Sequence, residues 1–152
     1  MPGARFAIIV SRFNEEVTSG LLAGALETLA EAEVSAADIT IVHVPGAFEI
    51  PLTASRLAET GRYDAVICLG CLIKGDTMHF EYIASAASNG IMEASAVSGL
   101  PITFGVLTTL TEEQAMARAA SGPANKGREA AMAAVEMVSL LRQIPDHSEG
   151  TA

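Results

Sequence analysis

Four short, β-branched apolar runs alternate with longer stretches in which apolar residues recur every three to four positions, the signature of strands exchanging with amphipathic helices. Arg5 to Ser11, Ile39 to Val44, Ala65 to Leu72 and Ile102 to Leu107 are the runs, and their near-continuous apolar character predicts strands covered on both faces. Helical spacing of Val17, Leu21, Leu22, Ala25, Leu26 and Leu29 predicts a helix from Glu15 to about Ala32, with Asn14 as its N-cap. After Pro45-Gly46 a helix is expected to start near Glu49 to Pro51 and end near Gly61, proline being tolerated in a first turn. A third helix is expected from about Thr77 to Ser98, stopped by Gly99 and Pro101. Its small residues Ala84, Ala86, Ala87, Gly90, Ala94 and Ala96 suggest close packing. Thr111 and Gln114 form a capping-box pattern for a short helix to about Ala120, and a last helix covers roughly Lys126 to Leu141. The polar end, 143–152, is expected to be a mobile tail. Each crossover is long enough to return parallel. The expectation is one domain over 1–152: a three-layer α/β/α sandwich with a four-stranded parallel sheet, flavodoxin-like.

Charge narrows the partners. With 18 acidic and 9 basic residues, the net charge of −9 argues against a nucleic-acid surface or an anionic membrane as partner. No stretch reaches the roughly 20 apolar residues of a membrane span, and no basic segment precedes an apolar signal core, so a cytoplasmic location is expected. Cys68 and Cys71 have the spacing of a redox pair, but Cys68 lies inside a strand-like run with no helix start beside it, so buried reduced thiols are the better reading. His43, His79 and His147 have no second ligand at metal spacing, and no metal is expected.

Polar groups gather where the strands end. After the third strand, Lys74, Gly75, Asp76, Thr77 and His79 put free backbone N–H groups, a hydroxyl, a cation and an imidazole at a strand's carboxyl end, where open α/β sheets bind ligands. An anionic small molecule suits that loop, with His79 as a proton carrier. Phe13, past the first strand, either stacks on a planar heterocycle or staples the following helix. Ala47, Phe48 and Glu49 bring helix-start amides and a carboxylate toward the same crevice, although complementing the helix dipole accounts equally well for Glu49. Arg118 and Lys126 flank the 121–124 loop, and either holds a phosphate or sits as solvated charge. Neither a Gly-x-x-x-x-Gly-Lys-Ser/Thr loop nor a Gly-x-Gly-x-x-Gly fingerprint is present, which disfavours nucleoside triphosphates and dinucleotides.

Five blocks, taken in order, give a more specific signal. Val10 to Asn14, Val44 to Pro51, Gly75 to Tyr82, Phe104 to Thr109 and Asn125 to Ala131 closely resemble the lumazine synthase family, over about residues 5 to 142. The resemblance implies condensation of 5-amino-6-ribitylaminouracil with 3,4-dihydroxy-2-butanone 4-phosphate to 6,7-dimethyl-8-ribityllumazine, releasing phosphate and water, the penultimate step of riboflavin biosynthesis. No cofactor is implied. By position, Phe13 resembles the residue that stacks on the pyrimidine, Ala47, Phe48 and Glu49 the segment that binds the ribityl chain, and Leu72 and Ile73 the backbone contacts to the ring. Gly75, Asp76 and Thr77 match the phosphate loop, Arg118 its arginine, and His79 the proton-transfer residue. Phe104, Lys126 and Arg118 resemble contacts supplied by an adjacent subunit, and Glu129 an acid near the arginine and histidine. Asn14 and Lys74 are supporting positions.

The resemblance further implies a homopentamer with sites shared between subunits, in some members packed into a larger shell, and riboflavin synthase as a partner. Two positions depart from the family pattern. Asp76 stands where a small residue is common, and Lys74 where arginine is. A non-catalytic riboflavin- or lumazine-binding paralogue and a flavodoxin-like signalling or redox module are the competing readings.

Overall fold

Strand-forming and helix-forming stretches fold as the periodicity predicts. A computed structural model describes residues 1–144; of the expected tail only Gln143 and Ile144 are among them, and Gln143 still belongs to a helix. The order is β1 (Phe6–Ser11), α1 (Glu15–Glu31), β2 (Ile39–Val44), α2 (Ile50–Glu59), β3 (Ala65–Ile73), α3 (His79–Ser98), β4 (Ile102–Thr109), α4 (Glu112–Ala119) and α5 (Lys126–Gln143). Single 3₁₀ turns at Ala36–Asp38 and Ala47–Glu49 precede β2 and α2.

All strand pairs are parallel and the sheet order is β2-β1-β3-β4. Central β1 is buried at every position, the physical reason its sequence is apolar without alternation. One face of the sheet carries Phe6, Ile8, Val10, Ile67 and Leu69 against Leu21, Ala25, Leu29, Ala131 and Ala134 of α1 and α5. The other carries Ala7, Ile9 and Val66 against Ile50 and Ala54 of α2 and Ala87 and Ile91 of α3. β1 leads away to β2 on one side while β3 lies on its other side. The carboxyl ends of β1 and β3 therefore flank the topological switch point, where a crevice opens.

Small residues set the helix spacing. A methyl group on Gly127 of α5 would run into the Leu21 carbonyl of α1, and one on Gly24 of α1 into the Asn125 side chain. On the opposite face Gly90 of α3 lies against Pro51 of α2, while Ala87 and Ala94 are buried. The close packing expected of α3 is thus with α2. Ala86 and Ala96 instead face outward.

Three local expectations are corrected. The third helix starts at His79 rather than Thr77, because the Thr77 hydroxyl accepts the His79 N–H (3.4 Å) and turns the chain before the helix begins. β3 and β4 run to Ile73 and Thr109, past Leu72 and Leu107, since each supplies the other's partner in the ladder. Asn14 occupies the N-cap position of α1, yet its side chain makes no capping bond: its backbone is left-handed (φ 61°), and its carbonyl accepts the Val17 and Thr18 N–H groups.

Candidate active site

The crevice at the switch point is built from the loops that follow β1, β2 and β3. Arg12 and Phe13 continue the sheet past β1: their N–H groups donate to the carbonyls of Val44 (2.8 Å) and Pro45 (3.2 Å). The Asn14 amide then donates to the Cys71 carbonyl (3.0 Å). Held from both sides, the Phe13 ring stands 66% exposed at the mouth of the crevice. That exposure argues against a staple and leaves an aromatic face free for a flat ligand.

On the adjoining loop after β2, the turn Ala47–Glu49 is closed by the Glu49 N–H on the Gly46 carbonyl (3.2 Å). Ala47 is buried beneath it, and Phe48 is 62% exposed. Leu72 and Ile73, at the end of β3, line the crevice. Gly75 and Thr77 line it on the loop after β3 and His79 at the start of α3, and together these residues surround about 450 Å³. That volume lies within the usual range of small-molecule clefts. Phe80, Ile83, Pro45 and Gly46 also line it. Sequence reasoning missed their part, although a helical turn that begins at His79 turns Phe80 and Ile83 to the side of the sheet crevice.

Two expected neighbours of the anion loop do not line the crevice. Asp76 is exposed outside it, and the Lys74 ammonium lies 3.3 Å from Glu81.

Arg118, Lys126, Phe104 and Glu129 gather elsewhere, in a second cleft of about 240 Å³ beside the edge strand β4. Arg118 donates to the Gln114 carbonyl (3.1 Å) and has no acidic partner among the described residues, so its charge is available to a ligand. Lys126 pairs with Glu129 (2.9 Å). Between the two cations lies Asn125, 1% exposed, whose amide donates to the carbonyls of Gly20, Ala119 and Ala120 while its oxygen accepts the Arg128 N–H. This buried hub sets where α4 stops and α5 starts, and with them the separation of Arg118 from Lys126.

Arg128 is drawn away from the site into a two-pronged pair with Glu31 (2.7 and 3.2 Å), and that hydrogen bond holds the Glu31 carboxyl below its ordinary range. The cysteine pair is not a redox site. Three residues apart on one strand, Cys68 and Cys71 point to opposite faces of the sheet, and burial raises both thiols, Cys71 to about 11.

Comparison with known proteins bears on what these two clefts do. Residues 3–142 match the family model described as 6,7-dimethyl-8-ribityllumazine synthase. A protein of that name from Salinibacter ruber is 52% identical over 142 residues, spanning 93% of this chain and 91% of its own. Another of that name from Syntrophus aciditrophicus is 54% identical over 142 residues, spanning 93% and 92%. The Caulobacter vibrioides protein named 6,7-dimethyl-8-ribityllumazine synthase 1 is 53% identical over 144 residues, spanning 95% and 94%. With a parallel sheet in the order β2-β1-β3-β4, an aromatic-mouthed crevice at its switch point, and identity above one half across nearly its whole length, this chain belongs to the 6,7-dimethyl-8-ribityllumazine synthase family.

Proposed function

We propose that this chain makes 6,7-dimethyl-8-ribityllumazine in its 450 Å³ crevice, and that the Phe104–Arg118–Lys126 cleft of a neighbouring copy completes each site. The reaction condenses 5-amino-6-ribitylaminouracil with 3,4-dihydroxy-2-butanone 4-phosphate, releasing phosphate and water in the penultimate step of riboflavin biosynthesis. The observation that carries the shared site is the separation of the two clefts: the stacking, amide and imidazole groups open at the switch point, while the unpaired Arg118 and the Glu129-paired Lys126 lie at an outer edge strand. One patch meeting a different patch is a heterologous contact, which builds a ring of equivalent sites when its rotation closes. A pentamer is the ring we propose.

In such a site the pyrimidine stacks on Phe13, the ribityl hydroxyls meet Glu49 and the Ala47–Phe48 backbone, and Leu72 and Ile73 supply backbone contacts to the ring. The phosphate is held by the Gly75–Asp76–Thr77 backbone and the Thr77 hydroxyl on one side and by Arg118 of the neighbour on the other. Lys126 and Phe104 close the cavity beside it, and Glu129 holds Lys126 in place.

Amine attack on the ketone, loss of water to an imine, phosphate elimination and ring closure each move a proton. His79 serves those transfers, since an imidazole gives and takes protons near neutral pH. Arg118 stabilises the departing phosphate. Holding two reactive molecules side by side supplies a further share, on the order of 7 to 11 kcal/mol in favourable cases.

The site works in the cytoplasm, its product passing to riboflavin synthase. No helix among the described residues is long and apolar enough to cross a membrane. Mixing tests the shared site directly. His79→Ala and Arg118→Ala subunits, each impaired alone, regain activity when unfolded together and reassembled, because some sites then draw an intact residue from each copy. Activity that stays at the average of the two single variants overturns the arrangement.

A further inference from the structure

The anion loop Gly75–Met78 is poorly held by packing. Asp76, Thr77 and Met78 are exposed, and a methyl group placed on Gly75 would meet nothing within 4 Å. Its two ends are anchored instead. Before it, the Lys74 N–H donates to the Thr109 carbonyl (2.9 Å); after it, the Tyr82 N–H donates to the Met78 carbonyl (3.2 Å) as α3 begins. Across these ends the Lys74 ammonium meets Glu81 Oε1 at 3.3 Å, and Glu81 Oε2 is buried with no hydrogen-bond partner.

We propose that the Lys74–Glu81 pair is a strap that sets the spacing of the loop's amides and of His79, which makes Glu81 a positioning residue for the phosphate-bearing substrate. The proposal rests on the reading that Gly75 and Thr77 receive that phosphate. Glu81 sits in the third position of α3, where a carboxylate is already favoured by the helix dipole, so the acid is fixed and the lysine comes to it. A buried carboxylate oxygen without a donor adds to the pull on the Lys74 ammonium. Lys74 is absent from the crevice lining, and its ammonium is turned to Glu81.

Full-length Lys74→Met, Glu81→Gln, the double variant and Lys74→Arg distinguish a strap from a direct phosphate ligand. A strap raises KM for the butanone phosphate by about twofold to fivefold in either single variant, the range open to an exposed ion pair, and leaves KM for the ribitylaminouracil unmoved. The double variant is then no worse than either single, and Lys74→Arg stays near wild type. Amide hydrogen exchange at residues 75–78 is faster in both single variants. A lower KM for the phosphate substrate in Glu81→Gln, additive losses in the double variant, or unchanged exchange overturns the strap. Loss of the site reading shows differently: wild type makes no lumazine, or Arg118→Ala matches it, while the exchange rates still decide whether the strap holds the loop.

Discussion

The Asn14 side chain is bonded across the sheet to Cys71: its amide donates to the Cys71 carbonyl at 3.0 Å, tying the loop that presents Phe13 to the strand that ends in Leu72 and Ile73. Asparagine suits the position twice over, because it also tolerates the left-handed backbone found there (φ 61°). Asn14→Ala should lower unfolding free energy by about 2 kcal/mol and Asn14→Gly by about 1 kcal/mol, the second retaining the backbone and losing only the bond. Urea unfolding of the two variants measures the difference. Both should raise KM for the ribitylaminouracil more than for the butanone phosphate.

Asn125 spends its four hydrogen bonds inside the protein, so truncation leaves three carbonyls without that donor. Asn125→Ala is expected to cost about 3 kcal/mol by chemical denaturation. Gly127→Ala should be comparably damaging, since the Leu21 carbonyl occupies the space the methyl needs.

The proposed division of labour between His79 and Arg118 has separable kinetic signatures. His79→Ala should lower kcat by about 100-fold without abolishing turnover, because the positioning of both substrates survives. Arg118→Ala should raise KM for the butanone phosphate as well as lower kcat. Steady-state assays following lumazine absorbance test both, and unchanged constants in Arg118→Ala would remove it from the site.

Acid should loosen the α1–α5 contact. Hydrogen bonding to Arg128 lowers the Glu31 carboxyl from its ordinary 4.5, so the folded state favours the charged form. Its stabilising contribution is therefore complete above pH 4.5 and is lost as pH falls through the lowered folded value. The difference in melting temperature between wild type and Glu31→Gln should be present near neutral pH and vanish in acid. A difference that persists at low pH would contradict the pairing.

Both thiols should be inert while the protein is folded. Burial raises Cys71 to about 11 and Cys68 further, leaving little thiolate at neutral pH, and the sheet separates them. A colourimetric disulfide reagent should modify neither until denaturant is added. Mild oxidants should leave activity unchanged.

Local patterning carries the secondary structure here. Strands, helices, the parallel sheet and the crevice at the strand ends were readable because period, β-branching, glycine and proline act through neighbours in the chain, and a right-handed crossover leaves few ways to assemble them. Phe13, the Ala47–Glu49 turn and the Gly75–His79 loop were legible for the same reason, each lying directly after a strand. Other features depended on groups far apart in the chain. Asn14 gave up its expected side-chain cap for a carbonyl 57 residues away, and Arg128 was taken by Glu31 at a separation of 97. The separation of the two clefts belongs to this second class, since it follows from strand order, which puts β4 at an edge and β1 and β3 at the switch point. Periodicity says which way a side chain faces; which partner meets it is settled when the layers pack.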